Sequence, residues 1–398
     1  MKILRIVYDW PPPWDGLAPA PYEMTSAQVK LGHEIDVFCG RWPFAGPIET
    51  LKGAKLHPFL REPLRGTLSI TTSLIVFFYY LFWRLKNRPD VIHSHGHFAI
   101  WIYAYRFFLK KFLPGAKELK VPLIAHFHNT VKGRWEKLEG QDKNIKAISR
   151  YLSWPLAQMS DRWAIGSADA CIFVSPETKN EAIKHYNTDP SKCFVVETGV
   201  NTELFTPIGP EELVKTRGEL GLAPHDKVIL NNGAIVERKN IHLLIESLRF
   251  LPSNYKLLLV GPHGDEEYES KILDVTSKYN LDHRIVRVGY TPYPQVPIVF
   301  QIADIFVLPS DWEGLPKVVL QSLACGVPAL ASGFETSQKI EGLVYLREVS
   351  AESIAKQVQE VLDSGISADL GFVRSNYSWH LMAKKVDQVY DKVVIRKS

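Results

Sequence analysis

Eleven short runs of β-branched and other apolar residues recur along this chain, separated by longer segments with helical periodicity, and no other feature restricts its fold as strongly. The first half contains Ile3–Tyr8, Glu34–Phe38, Val91–His93, Pro122–His126, Ala170–Val174 and Cys193–Glu197. The second contains Val228–Asn231, Lys256–Val260, Ile285–Val288, Asp304–Leu308 and Pro328–Ala331. Near-continuous apolar runs are strands buried on both faces, and their alternation with helices describes parallel βαβ units. Two such sets in 398 residues predict an α/β protein with two doubly wound parallel sheets. Pro207, Gly209 and Pro210 break the pattern between Phe205 and Glu211. The predicted domains are therefore 1–206 and 207–379. In sheets of this kind ligands bind beyond the carboxyl ends of the strands, so the residues just after each run carry the chemistry.

Composition narrows the class further. At 46% hydrophobic and 23% charged residues the chain is neither disordered nor fibrous. Cys39, Cys171, Cys193 and Cys325 lie far apart with no C-x-x-C pair, which argues against a thiolate zinc site and for a reducing compartment. Asp9 falls too early for a signal peptide, so the expected location is cytoplasmic. Residues 51–150 carry 18 basic against 6 acidic side chains, a surface suited to an anionic partner or simply to water. No helix-turn-helix, zinc knuckle or aromatic RNA-binding signature accompanies the charge, which argues against nucleic acid. Leu74–Trp83 is the longest apolar run, half the length a membrane span needs. Arg84, Lys86 and Arg88 follow it, and Trp101–Phe112 again mixes aromatics with Arg106, Lys110 and Lys111. Two readings stand side by side: ordinary buried helices, or an interfacial contact with the inner face of an anionic membrane.

Four places offer chemistry. Gly16, after the first strand and three prolines, leaves room for close approach of a phosphate. Five of the 13 histidines fall between His93 and His128, in "HSHGHF" and "HFHN" directly after strands. They lack a fourth ligand or a nearby cysteine, so no metal is expected, and one histidine contacting a polar ligand while the rest pack is the preferred reading. Arg238 and Lys239, after the Gly233 turn and before a helix at Ile241, place cations and a helix N-terminus together, a combination suited to a diphosphate. In "DIFVLPSDWEGLPKVVLQSLACGVPALAS", Glu313 stands at a turn and Gln321 in the second turn of a helix over Lys317–Ala324.

At this point the chain resembles a known pattern, the retaining, nucleotide-sugar-dependent glycosyltransferases of family 4. The matching segments are "LGHEIDVF", "PDVIHSHG", "VVETGVNTELFTP", "GAIVERKNIHLLIESL", "LLLVGPHG", the Ala303–Ser332 segment and "YSWHLMAKKVDQVY", in order along nearly the whole chain. The resemblance implies a GT-B architecture, two Rossmann-like domains facing a cleft, with a last helix around Ala383–Val394 returning to the first domain. It implies His128, Lys239 and Glu313 as catalytic residues: His128 contacts the donor sugar, Lys239 neutralises the leaving diphosphate and Glu313 holds sugar hydroxyls. Donor contacts are implied at Gly16, Gly233, Arg238, Tyr290, Gly314, Leu315 and Gln321, with the nucleobase read by backbone near Val288–Tyr290. The co-substrate would be a nucleoside-diphosphate sugar, the acceptor a glycan or lipid-linked hydroxyl, and the reaction a hexosyl transfer.

Three positions depart from the family's pattern. Ala234 stands where an arginine is usual, with Arg238 as a candidate substitute. Gln321 replaces the second glutamate of the E-x7-E motif and lacks its charge. Asp15–Gly16 replaces paired glycines. No Asp-x-Asp occurs anywhere, so transfer is expected to need no metal. The departures motivate an alternative in which a catalytically weak scaffold binds and regulates a partner enzyme; a sugar-nucleotide epimerase is a third reading.

Overall fold

The computed structural model describes residues 1–14, 16–61, 71–139, 154–262, 264 and 266–396. The chain divides into two units, one of Met1–Glu197 with Trp379–Ser398 and one of Thr198–Ser378. The division thus precedes the Phe205–Glu211 breaker cluster. The reason is local: Val200 bridges Ser378 and donates its N–H to Tyr377, while Phe205 is fully buried against Tyr293 and Phe300.

Among the described residues the first unit holds seven parallel strands: β1 (Lys2–Val7), β2 (Glu34–Arg41), β3 (Ala54–Leu60), β4 (Val91–His95), β5 (Leu123–Phe127), β6 (Ala170–Phe173) and β7 (Cys193–Val195). Their order is β3-β2-β1-β4-β5-β6-β7. The second holds six, also parallel: β8 (Lys227–Asn232), β9 (Tyr255–Val260), β10 (Ile285–Val288), β11 (Ile305–Pro309), β12 (Ala329–Ser332) and β13 (Leu343–Tyr345), in the order β10-β9-β8-β11-β12-β13. All eleven expected strands form. The two additional ones, β3 and β13, are both sheet edges.

Alternation along β1 shows how the first sheet is covered. Ile3 and Val7 face the helices Pro19–Lys30 and Trp379–Ile395, whereas Leu4 and Ile6 face the helices Thr72–Lys86 and Ile100–Phe112. The returning helix, Trp379–Ile395, buries Trp379, Met382, Ala383, Val386, Val389, Tyr390 and Val393 at helical spacing, and each large apolar side chain contributes about 1.5–3 kcal/mol. The Leu74–Trp83 run lies in a helix with two characters. Val76, Tyr80 and Trp83 are buried, while Ile75, Phe78, Phe82 and Leu85 face outward. Arg106 does not face a membrane; it is fully buried and donates to the carbonyls of Glu118 and Val121. Among the described residues no helix is long and apolar enough to cross a membrane.

Chain order places the switch points. In the first sheet successive strands run outward from β1 to β3 and then return to β4; in the second they run outward from β8 to β10 and return to β11. Gly16 follows β1, His97 follows β4, Gly233 follows β8 and Glu313 follows β11. These are the positions where a doubly wound sheet opens to ligands.

Candidate active site

In the second unit a buried cation sits over the end of β8. Gly233 has φ +137°, a conformation L side chains rarely adopt, and a Cβ there would come within 2.3 Å of Lys239 Nζ. Gly261, at the end of β9, lies so close to the Gly233 carbonyl that its own Cβ would fall 2.2 Å from that oxygen. Both glycines therefore make room, one for the ammonium and one for the loop beneath it. Lys239 is only 7% exposed, and burial pushes its pKa down to about 8 against the opposing pull of Glu313.

Glu313 is held from three sides. Its backbone N–H donates to Gly333, Oε1 accepts from Arg238 Nη1 at 2.5 Å, and Oε1 also accepts from Ser310 Oγ at 3.1 Å. Arg238 Nη1 donates as well to the Trp312 carbonyl at 3.0 Å, and its guanidinium lies 4.7 Å over the Trp312 ring. Asn240, in the left-handed region at φ 50°, donates to Pro309 and Asp311 and ties the Lys239 turn to the end of β11. The structure thus gathers Gly233, Arg238, Lys239 and Glu313. Arg238 is in addition an ion-pair partner of Glu313. The helix Ile241–Ser247 spans only seven residues, so the cations, not a helix dipole, dominate this end.

The remaining residues of this unit spread outward. Leu315 and Gln321 are buried, Gln321 within the expected helix Lys317–Ala324, with Gly314 at the turn before it. Tyr290 follows the edge strand β10, two strands from β8, and is 44% exposed.

In the first unit Gly16 has φ +52° with open space where a Cβ would point. His128 is half-buried after β5, its Nε2 3.5 Å from His95 Nδ1. His93, His95 and His126 are buried and stacked beside it, with ring centroids 4.6 to 5.3 Å apart, and burial drives all three well below the ordinary imidazole pKa. They are neutral. The loop after His128 is anchored where Thr130 Oγ1 donates to Glu181 at 2.9 Å and Val131 N–H donates to buried Asp161 at 2.8 Å. Asp15 lies outside the described residues.

Two family models match the chain: Glycosyltransferase Family 4 over residues 14–204 and Glycosyl transferases group 1 over residues 215–370. The chain is a family 4 glycosyltransferase. It is 24% identical to an uncharacterized glycosyltransferase of Methanocaldococcus jannaschii, covering 98% of each chain. It is 26% identical to a D-inositol 3-phosphate glycosyltransferase of Thermobispora bispora, over 88% of this chain and 79% of that one. Among solved structures, sucrose-phosphate synthase from Thermosynechococcus elongatus superposes with a TM-score of 0.78 at 20% identity, covering 99% of both chains. The HepE protein of Anabaena in complex with UDP-glucose gives 0.70 at 16% identity, over 98% of this chain and all of that one. The GT-B fold of this glycosyltransferase follows from those superpositions.

Sequence reasoning passed over Ser310, Asn240 and Gly333, which hold Glu313 and Lys239 in place, and over Arg5 and Tyr390 behind the histidines. Ser310 and Gly333 sit at strand ends, a position that could have marked them. Tyr390 carries no local signal, since its partner His93 is 297 residues away.

Proposed function

We propose that this glycosyltransferase moves a hexose from a nucleoside-diphosphate sugar to an acceptor hydroxyl with retention of configuration and without a metal. The buried Lys239 carries the reading. The reaction breaks the bond between the anomeric carbon and the diphosphate and forms one to the acceptor oxygen. Retention requires the acceptor to arrive on the face the diphosphate leaves, where a departing phosphate oxygen is the nearest base for the acceptor's proton. Negative charge builds on that diphosphate, and a cation already desolvated stabilises it more in the transition state than in the ground state. Glu313, fixed by Arg238 and Ser310, is suited to accept hydrogen bonds from the sugar's hydroxyls. His128, with neutral histidines beside it, is assigned a polar contact to a sugar, and Gly16 and Gly233, each in its own unit, leave room for phosphate close to backbone. Gln321, Gly314, Leu315 and Tyr290 are assigned to the nucleotide.

The acceptor is proposed to be a glycan or lipid-linked hydroxyl at an anionic membrane. The outward Ile75, Phe78, Phe82 and Leu85 face of one helix, with Lys86 at its end, supports this, as does the Phe108–Phe112 end of the next. Incubation with a panel of nucleotide sugars and mass-spectrometric detection of products tests the whole reading. Transfer or donor hydrolysis supports it; tight binding with neither would favour the catalytically weak scaffold, and an isomerised donor the epimerase.

A further inference from the structure

The histidine stack has a direction. Arg5 is fully buried on β1, where its guanidinium donates to Thr25 Oγ1 at 2.7 Å and to Gln28 Oε1, and hydrogen-bonds Tyr390. A guanidinium has donors only, so it takes the phenol oxygen's lone pair and leaves the phenol proton to go elsewhere. Gln28 also borders the phenol, but its oxygen already accepts from Arg5, whereas Tyr390 Oη lies 2.5 Å from His93 Nδ1, and the proton is assigned to that nitrogen. A neutral imidazole carries one N–H, so His93, accepting at Nδ1, bears its proton on Nε2. His93 Nε2 lies 3.1 Å from His126 Nδ1, with the two ring planes parallel to within 2°. His126 therefore accepts at Nδ1 and bears its own proton on Nε2. Among the described residues that buried N–H has no partner, and neither has the Nε2 of His95 stacked 4.6 Å away.

We propose that the His126 Nε2–H, with its tautomer set from behind by Tyr390 and Arg5, donates to a neutral hydroxyl oxygen of a carbohydrate ligand. An orphaned buried donor costs about 1–3 kcal/mol, which a ligand oxygen recovers on binding. A hydroxyl both accepts and donates, so it can satisfy the His126 donor and the neighbouring His95 nitrogen together. A divalent metal fits less well. The ring nitrogens of His93, His95 and His126 do lie within 4.8 Å of one another. However, the facing nitrogens of His93 and His126 are already hydrogen-bonded to each other, and the Arg5 charge lies near both rings. The ligand class rests on the sugar-transfer reading above; the tautomer does not.

Long-range proton–nitrogen spectra of the full chain labelled with ¹⁵N-histidine test both parts. The wild-type protein is expected to show His126 as the Nε2–H form, and Tyr390→Phe to convert it to a mixture. The His126 Nε2 signal should move on adding either UDP-glucose or GDP-mannose, which assigns the hydroxyl to the transferred sugar, or free glucose or myo-inositol, which assigns it to the acceptor. His126→Gln, which keeps a donor, should retain sugar affinity, and His126→Leu should lose about tenfold. An Nδ1–H form in the wild type overturns the proposal even if Tyr390→Phe fails to fold. So does a His126 signal unmoved by nucleotide sugars that calorimetry shows to be bound, or stoichiometric Zn²⁺ uptake lost in His126→Leu. Absence of any calorimetric nucleotide-sugar binding would instead count against the transfer reading.

Discussion

Lys239 is a cation held where water scarcely reaches, and its behaviour follows from that. Replacing it by alanine should lower turnover at least tenfold in a protein that still folds, since a charged contact is worth about 1.5–3 kcal/mol. Unchanged kinetics would remove Lys239 from the reaction. The pH dependence has a definite sign. With a pKa of about 8 in the free protein, the charge is present below that pH and lost above it, so kcat/KM should fall as pH rises through about 8. A bound diphosphate favours the charged form, so kcat should fall at higher pH than kcat/KM. For folding the sign is reversed: the unfolded chain holds this proton more tightly, so the penalty is full below about 8 and fades as pH rises towards the ordinary lysine value of 10.5. Gln321→Glu should tighten nucleotide binding or leave it unchanged, because a carboxylate is the stronger acceptor for a ribose diol. Calorimetry on both variants decides it, and a marked loss would show a pocket shaped around the amide. Chelation with EDTA should leave turnover intact; loss restored by magnesium would contradict the metal-free reading.

Among the elements, the helix Thr72–Lys86 divides its residues between two duties. Its inner face closes the sheet, while Phe78 and Phe82 are 53% and 71% exposed. Phe78→Ser with Phe82→Ser should therefore leave thermal stability nearly unchanged and weaken sedimentation with anionic vesicles several-fold. Equal partitioning of both proteins into neutral and anionic vesicles would leave this face without a membrane role. The elements also show what could be read in advance. Central strands were legible because both faces are buried, so their composition is apolar whatever surrounds them. β3 was hidden because an edge strand is half solvated: Lys55, His57 and Pro58 interrupt any apolar run. β13, three residues long, is too short for a period to show. Glu313, Arg238 and Lys239 were visible because neighbouring residues in sequence supply most of the motif. The Arg5–Tyr390–His93 chain was not, because its members come from β1, the last helix and β4, and only folding brings them together.

At the scale of the molecule, the two units differ in how the chain builds them. The second is one continuous stretch, Thr198–Ser378, with its own core around Ile229, Leu244, Leu257 and Ile354. The first is assembled from two stretches, and its core includes Met382, Val386 and Tyr390 from the far one. Truncation after Ser378 should therefore lower the melting transition of the first unit by many degrees and leave that of the second in place. Calorimetry resolves the two transitions; an unshifted pair would mean the last helix adds little to the first core.

That discontinuity reverses the order in which the protein matures on the ribosome. Residues 1–197 emerge first but must wait with Val7, Trp10 and Met24 uncovered until Trp379–Ile395 has been synthesised. The second unit, encoded in between, can complete itself while they wait. The nascent first unit is thus the natural client for a chaperone.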